Sequence, residues 1–217
     1  MKIKGKDAAK VWKELLEYVF ENGREFVNKK NRTCKEVLNI VTSIEDVSTI
    51  MKPMELLNKF NKWVYPPLDE IKNLILSKKD TPSYYYNYGA RAFNFNGKGL
   101  NQIDDYLIPL LKKNPTSKRG IVVFYGPEKD TLPLKKETPA VIMANFNIRD
   151  EKLHTTIVIR SNELFFGWPS NIVQTYFLSD YVSKELNVPL GNINVVSISA
   201  HIFENQFEDI KKIIGKK

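Results

Sequence analysis

A guanidinium and a hydroxyl stand side by side in Arg160 and Ser161, and an amide follows at Asn171, a set that could hold a phosphorylated heterocycle. Several cations and a hydroxyl grip a dianionic phosphate through charge-assisted hydrogen bonds. Arg32, Lys118, Arg119, Arg160 and Ser161 are the candidates for that grip. Taken singly, each cation is an ordinary solvated surface charge. Asn171 carries one acceptor and a two-hydrogen donor, so it can match the edge of uracil, whose O4 accepts and N3 donates. Beside Pro169 and Ser170 it could equally cap a helix. His201, taken alone, would be a satisfied core histidine.

Bulk properties bound what such residues can serve. With 217 residues, 42% of them hydrophobic and 12% aromatic, the chain is expected to form a single domain over 1–217. The net charge of +8 speaks to partners and not to fold. Its lysines are spread in pairs at 29 and 30, 78 and 79, 112 and 113, 135 and 136, and 211 and 212, often at the ends of apolar segments, so nucleic acid is not expected as the main ligand. No apolar run approaches the roughly 20 residues of a membrane helix, and the first residues lack a secretory pattern; a cytoplasmic protein is expected. The single cysteine, Cys34, excludes an intrachain disulfide and a zinc site of several thiolates, and with two histidines no metal is expected.

The elements that must position these groups follow from periodicity. Apolar residues at 8, 11, 12, 15, 16, 19 and 20 predict a helix, with Asn22 and Gly23 as a left-handed stop. A β-branched run predicts a strand over 37–44, and 51–75 is helical but broken at Pro66 and Pro67. Leu100, Ile103, Leu107, Leu110 and Leu111 predict a helix closed by Asn114 and Pro115, with a strand, IVVFY, behind it. Strands over 140–148 and 153–159, joined tightly at Arg149 and Asp150, are expected to pair antiparallel and deliver Arg160 to the sheet edge. A helix over 171–186 and a strand over 193–199 follow, and a last helix carries Phe203, Phe207, Ile210 and Ile214 on one face. The expected class is α+β, a mixed sheet with helices packed on it.

RSNELFFGWPSNI from Arg160 and SAHIFENQFE from Ser199 resemble the signature segments of the thymidylate synthase family. NRTCKEVLN from Asn31 resembles that family's phosphate-binding arginine loop, YGAR from Tyr88 its Tyr-Gly segment, and LNQIDDYLIPLLKKNPTSKR from Leu100 its Asp-Gln-Ile helix with the paired basic residues behind it. Five segments in one order span nearly the whole chain, whose length is closer to compact archaeal-type members. The resemblance implies a pyrimidine nucleoside monophosphate, dUMP or UMP, and a homodimer in which Lys118 and Arg119 reach into the other subunit's site. It also implies uracil selection by Asn171, sugar contacts from His201 and the position of Phe203, and a reduced folate or methanopterin as one-carbon donor. Trp63, Tyr125 or Trp168 could offer a face to a pterin. Lys118 replaces the usual arginine and loses its bidentate fork. Phe203 replaces a tyrosine, which weakens discrimination at the ribose. The terminal Gly215-Lys216-Lys217 does not resemble the apolar tail of bacterial members, so the donor's identity stays open.

C5 of uracil is a poor nucleophile until a thiolate adds at C6 and turns the ring into an enolate. The family takes this thiolate from a Pro-Pro-Cys-His segment, its cysteine twenty positions before the arginine matched by Arg160. Here that count lands on Ala140, within Glu137, Thr138, Pro139, Ala140 and Val141. Cys34, beside Arg32, is no obvious substitute and is expected to be a small buried hydrophobe. Two expectations follow. Either C5 is methylated by a route without covalent addition, with Glu55, Tyr88 and Glu163 handling protons, or the chain kept its nucleotide contacts and lost turnover, as a sensor or regulator.

Overall fold

A short strand, β1 (Lys2–Gly5), precedes the first helix, α1 (Ala8–Asn22), in this computed structural model, which describes residues 1–60, 62–80, 86–132 and 137–216. Lys135, Lys136 and Lys217 lie outside them. There follow β2 (Arg24–Val27), β3 (Thr33–Ile44), α2 (Lys52–Leu57), α3 (Leu68–Ile75), α4 (Tyr88–Phe93), α5 (Ile108–Lys113), β4 (Ile121–Val123) and α6 (Pro127–Asp130). The chain continues through β5 (Val141–Arg149), β6 (Lys152–Ile159), β7 (Asn162–Glu163), α7 (Gly167–Leu186), β8 (Leu190–Phe203) and α8 (Phe207–Ile214). Among the described residues eight α-helices accompany one mixed sheet of eight strands, an α+β fold as expected. Spatial proximity groups the chain into two compact units: Met1–Tyr65, Ile159–Val173 and Ile193–Lys217 form one, and Pro66–Val158 and Gln174–Asn192 the other. No helix among the described residues is long and apolar enough to cross a membrane.

In the first unit, Asp7 starts α1 by accepting from the amides of Ala9 (2.9 Å) and Lys10 (3.1 Å). The predicted stripe buries Val11, Trp12, Leu15, Leu16 and Val19, and the Trp12 indole donates to the carbonyl of Leu164 at 2.7 Å. The expected left-handed stop is absent: Gly23 has φ −67°. Gly23 is small for a different reason, since a Cβ there would lie 2.5 Å from the Val19 carbonyl oxygen. β3 is longer than the β-branched run that predicted it; it pairs parallel with β1 and antiparallel with β2 and β8. β8 is also longer than predicted, and Phe203 ends it, so the final helix begins only at Phe207. In register, Cys34 faces Phe203 and Glu36 faces His201, while on the other side of β8 Glu163 of β7 pairs with His201. Strand alternation buries Ala200 and Ile202 and leaves Ser199, His201 and Phe203 half-buried on the opposite face.

In the second unit, Asn87 caps α4 by accepting from Gly89 N–H at 2.7 Å, and a Cβ on Gly89 would lie 2.4 Å from the Leu74 carbonyl oxygen. The predicted helix over 100–111 starts as a π-helical turn (Ile103–Leu107) before α5, the change falling just ahead of Pro109, which has no N–H to donate. Gln102 clamps α4 to β4, donating to the carbonyls of Arg91 (2.9 Å) and Val123 (2.7 Å) and accepting from Val123 N–H (2.9 Å). The tight turn between β5 and β6 falls one residue later than expected: Asp150 and Glu151 both have positive φ, 49° and 57°, as a two-residue primed hairpin turn requires.

Candidate functional site

The C-terminal half of β8, the start of β3 and the turn before β7 surround a cleft of about 340 Å³ in the first unit. Arg32, Ser161, His201 and Phe203 line it together with Cys34, expected in the same phosphate loop as Arg32, and with Lys29, Lys30, Glu36 and Ser199, which the sequence did not single out. The lysines bring two further cations to an anion's reach. Only their adjacency to Arg32 could have signalled this. Glu36 and Ser199 lie 163 residues apart and meet only through the pairing of β3 with β8.

Ser199 Oγ–H donates to a Glu36 carboxylate oxygen, and His201 Nδ1 lies 3.4 Å from the same Oγ. With its one hydrogen given to Glu36, Ser199 can only accept from His201, which assigns the proton to Nδ1 and leaves Nε2 as an acceptor. Burial holds the imidazole below its ordinary 6.5, outweighing the carboxylates of Glu163 and Glu36. His201 is therefore neutral at pH 7 and suited to accept from a sugar hydroxyl. Cys34 is 2% exposed, its thiol donating to the Arg32 carbonyl at 3.3 Å; burial pushes the thiol up despite the guanidinium nearby. That is the buried hydrophobe expected, not a thiolate.

A second cleft in this unit, about 400 Å³, shares Arg32 and Phe203 with the first and adds Lys62, Trp63, Val64, Glu163, Phe166, Asn205 and Gln206. Trp63 is half-buried, edge-on to Phe165 (5.3 Å, 74°), and Phe166 is stacked on Tyr65 (4.1 Å, 6°). Trp168 is wholly buried and has no face to offer a ligand. Glu163 accepts from the amides of Phe165 (2.8 Å), Phe166 (2.9 Å) and Gly167 (2.8 Å) and from Gln206 Nε2 (3.0 Å). This carboxylate gathers the amides that open α7, which explains why that helix starts at Gly167 and not at 171 as predicted. Replacing it with alanine orphans those amides, and Glu163→Ala is expected to lower stability by about 2 kcal/mol, read as a lower urea midpoint at unchanged slope. A shift below a quarter of that would remove the capping role.

Asn171 and Arg160 belong to the same unit, Asn171 half-buried in the second turn of α7 and Arg160 exposed between β6 and β7; neither lines the two clefts described. Glu55 is exposed on α2 and also lines neither. In the second unit the structure brings Tyr88 and Ala140 together. Val141 N–H donates to Tyr88 Oη at 3.0 Å, so the phenol lies at the edge of β5 where half-exposed Ala140 stands. Burial pushes the phenol well above 10, so Tyr88 stays protonated. Lys118 and Arg119 are exposed in the loop between α5 and β4. Tyr125, the remaining aromatic candidate, follows β4 in this second unit and is half-buried.

Among the described residues no group of three or more His, Cys, Asp or Glu side chains is disposed to hold a metal ion. A profile of the family described as "Thymidylate synthase" matches residues 34–217. A Methanothermobacter thermautotrophicus protein provisionally named thymidylate synthase is 32% identical over 214 residues, 94% of this chain and 93% of its own. One of the same name from Methanosarcina mazei is 31% identical over 212 residues, 98% of this chain and 94% of its own. "Thymidylate synthase 1" of Bacillus spizizenii is 28% identical over 130 residues, 59% of this chain and 45% of its own. With the profile covering all but the first elements and two relatives matched almost end to end, the chain belongs to the thymidylate synthase family.

Proposed function

We propose that this protein is a cytoplasmic homodimer that binds a uracil nucleoside monophosphate, dUMP or UMP. The observation that carries the reading is the first cleft, where Arg32, Lys29, Lys30 and Ser161 can face a phosphate and neutral His201 can accept from a sugar hydroxyl. Arg160 adds a cation in the same unit, and Asn171 would read O4 and N3 of the base. Phe203 lacks a phenol, so the sugar's 2′ position is weakly discriminated. Lys118 and Arg119 would complete the phosphate grip in the partner subunit. The exposed apolar side chains of Leu38 (58%) on β3 and Ile198 (40%) on β8 are what a partner subunit would cover.

The family's reduced folate or methanopterin supplies a one-carbon unit when bound. In this chain Trp63 and Phe166 would hold its flat ring in the second cleft, whose aromatic lining suits one. Transfer to C5 by the usual thiolate is not open to Ala140, and buried Cys34 offers no replacement. A second reading, transfer without a covalent adduct, rests on Tyr88, a protonated phenol beside Ala140 that could donate a hydrogen bond to the pyrimidine. Calorimetric titration with dUMP, UMP and dCMP tests the binding function. Tighter binding of both uracil nucleotides than of dCMP, by about tenfold or more, is expected, because an unmatched base edge leaves buried polar groups unpaired. Equal affinity for all three would overturn uracil recognition, and no binding of any would overturn the nucleotide site.

A further inference from the structure

We propose that Phe203 acts as a positioning residue for Arg32, its ring fixing the guanidinium so that the N–H edge faces the nucleotide phosphate. The inference rests on the first cleft being a nucleotide site, and gives that site a working part. The Arg32 Cζ lies 3.5 Å from the centroid of the Phe203 ring, well inside the roughly 6 Å at which a cation is held over an aromatic face. A guanidinium offers two different surfaces: its face stacks on a ring, while its in-plane donors are left for a bidentate anion. Tyrosine at this place would present the same face, so the change to phenylalanine removes a hydroxyl and keeps the platform.

Both partners are held independently of any ligand. Arg32 ends the β2–β3 hairpin loop, which Asn28 closes: its side-chain oxygen accepts from the amides of Lys30 (2.9 Å) and Arg32 (3.1 Å), and its own N–H donates to the Arg32 carbonyl (3.0 Å). Asn31 takes the left-handed conformation this loop needs, φ 56°. Phe203 is paired in register with Cys34, its N–H donates to Gln206 Oε1 at 2.9 Å, and the His201 ring meets it edge-on (5.2 Å, 77°). The pair also forms a wall common to the two clefts of this unit. A long exposed arginine would otherwise lose rotamer freedom on gripping phosphate; stacked beforehand, it has less to lose.

NMR of the free protein and NMR titrations with dUMP and with deoxyuridine, which lacks the phosphate, test this on the wild type, Phe203→Leu and Phe203→Tyr. In the free state the Arg32 δ-methylene protons are expected upfield of ordinary arginine in the wild type and Phe203→Tyr, and back to ordinary values in Phe203→Leu. Phe203→Leu is expected to weaken dUMP binding about 3- to 30-fold more than deoxyuridine binding, while Phe203→Tyr keeps the wild type's ratio of the two affinities within about twofold. A merely structural role would move both ligands together, so equal losses overturn the proposal, as do unshifted Arg32 resonances or undiminished dUMP binding by Phe203→Leu. A wild type that binds neither ligand rejects the nucleotide reading itself, and the proposal with it.

Discussion

Asp130→Ala is expected to destabilise the protein by about 3–5 kcal/mol, because it strips a buried arginine of its carboxylate. Arg91 grips Asp130 bidentately, both contacts at 2.9 Å, with the two side chains only 6% and 0% exposed. The same carboxylate accepts the Gly126 amide at 2.8 Å, so alanine also orphans a buried backbone donor. Asn96 Oδ1, 3.0 Å from Arg91 Nη1, would be left to share a full charge that no dipole of its size can neutralise. Arg91 follows Tyr88 by one turn on α4, so the damage should reach the phenol that receives the Val141 amide. Urea unfolding of the single variant against Arg91→Met/Asp130→Leu separates the causes. An apolar pair of similar bulk should recover most of the loss, since the cost lies in the uncompensated charge and not in the pairing as such. A single variant that lost less than about 1 kcal/mol would show the guanidinium reaching water or another partner.

What the sequence disclosed depended on range. α1 was legible because a 3.6-residue stripe is written locally, and its burial followed it residue by residue. The restart of a helix behind Pro66 and Pro67 was legible for the same reason, α3 beginning at Leu68, whereas α2 ends at Leu57, nine residues before the prolines that were expected to break it. α7 was misjudged at its start because its opening amides are gathered by Glu163, four residues before Gly167, and no propensity at 167–170 betrays that. Gly23 was misread because its smallness answers to the backbone of Val19 and not to a left-handed turn. Of the first cleft's lining, Arg32, Ser161, His201 and Phe203 were singled out by type and order. Glu36 and Ser199 were not, since each is an unremarkable polar residue until β3 and β8 are laid side by side. The Arg32–Phe203 stack belongs to this second kind, a contact across 171 positions that only strand register creates.

Ala140→Cys is expected to release label from C5 of dUMP, and the unaltered chain is expected not to. Addition of a thiolate to C6 forms an S–C6 bond, moves the C5–C6 π pair onto C5 and O4, and lets C5 take a proton from solvent; reversal then expels the labelled hydrogen with the thiolate. Ala140 has no atom that can make that bond. A cysteine there would stand half-exposed, unlike Cys34, whose burial disfavours the thiolate. It would also lie next to the amide of Val141, which already binds the Tyr88 oxygen, so a phenol kept protonated by burial is at hand. The family's histidine after the cysteine is Val141 here, and release by the variant is expected to be slow for want of a neighbouring base. The contrast between the two proteins decides between the readings, because both should bind dUMP equally. Release confined to the variant would mark the native chain as a nucleotide site without a nucleophile, and adding a one-carbon donor should not rescue it. Release by the unaltered chain would sink that view, and its loss in Tyr88→Phe with dUMP affinity retained would then move the chemistry onto the phenol.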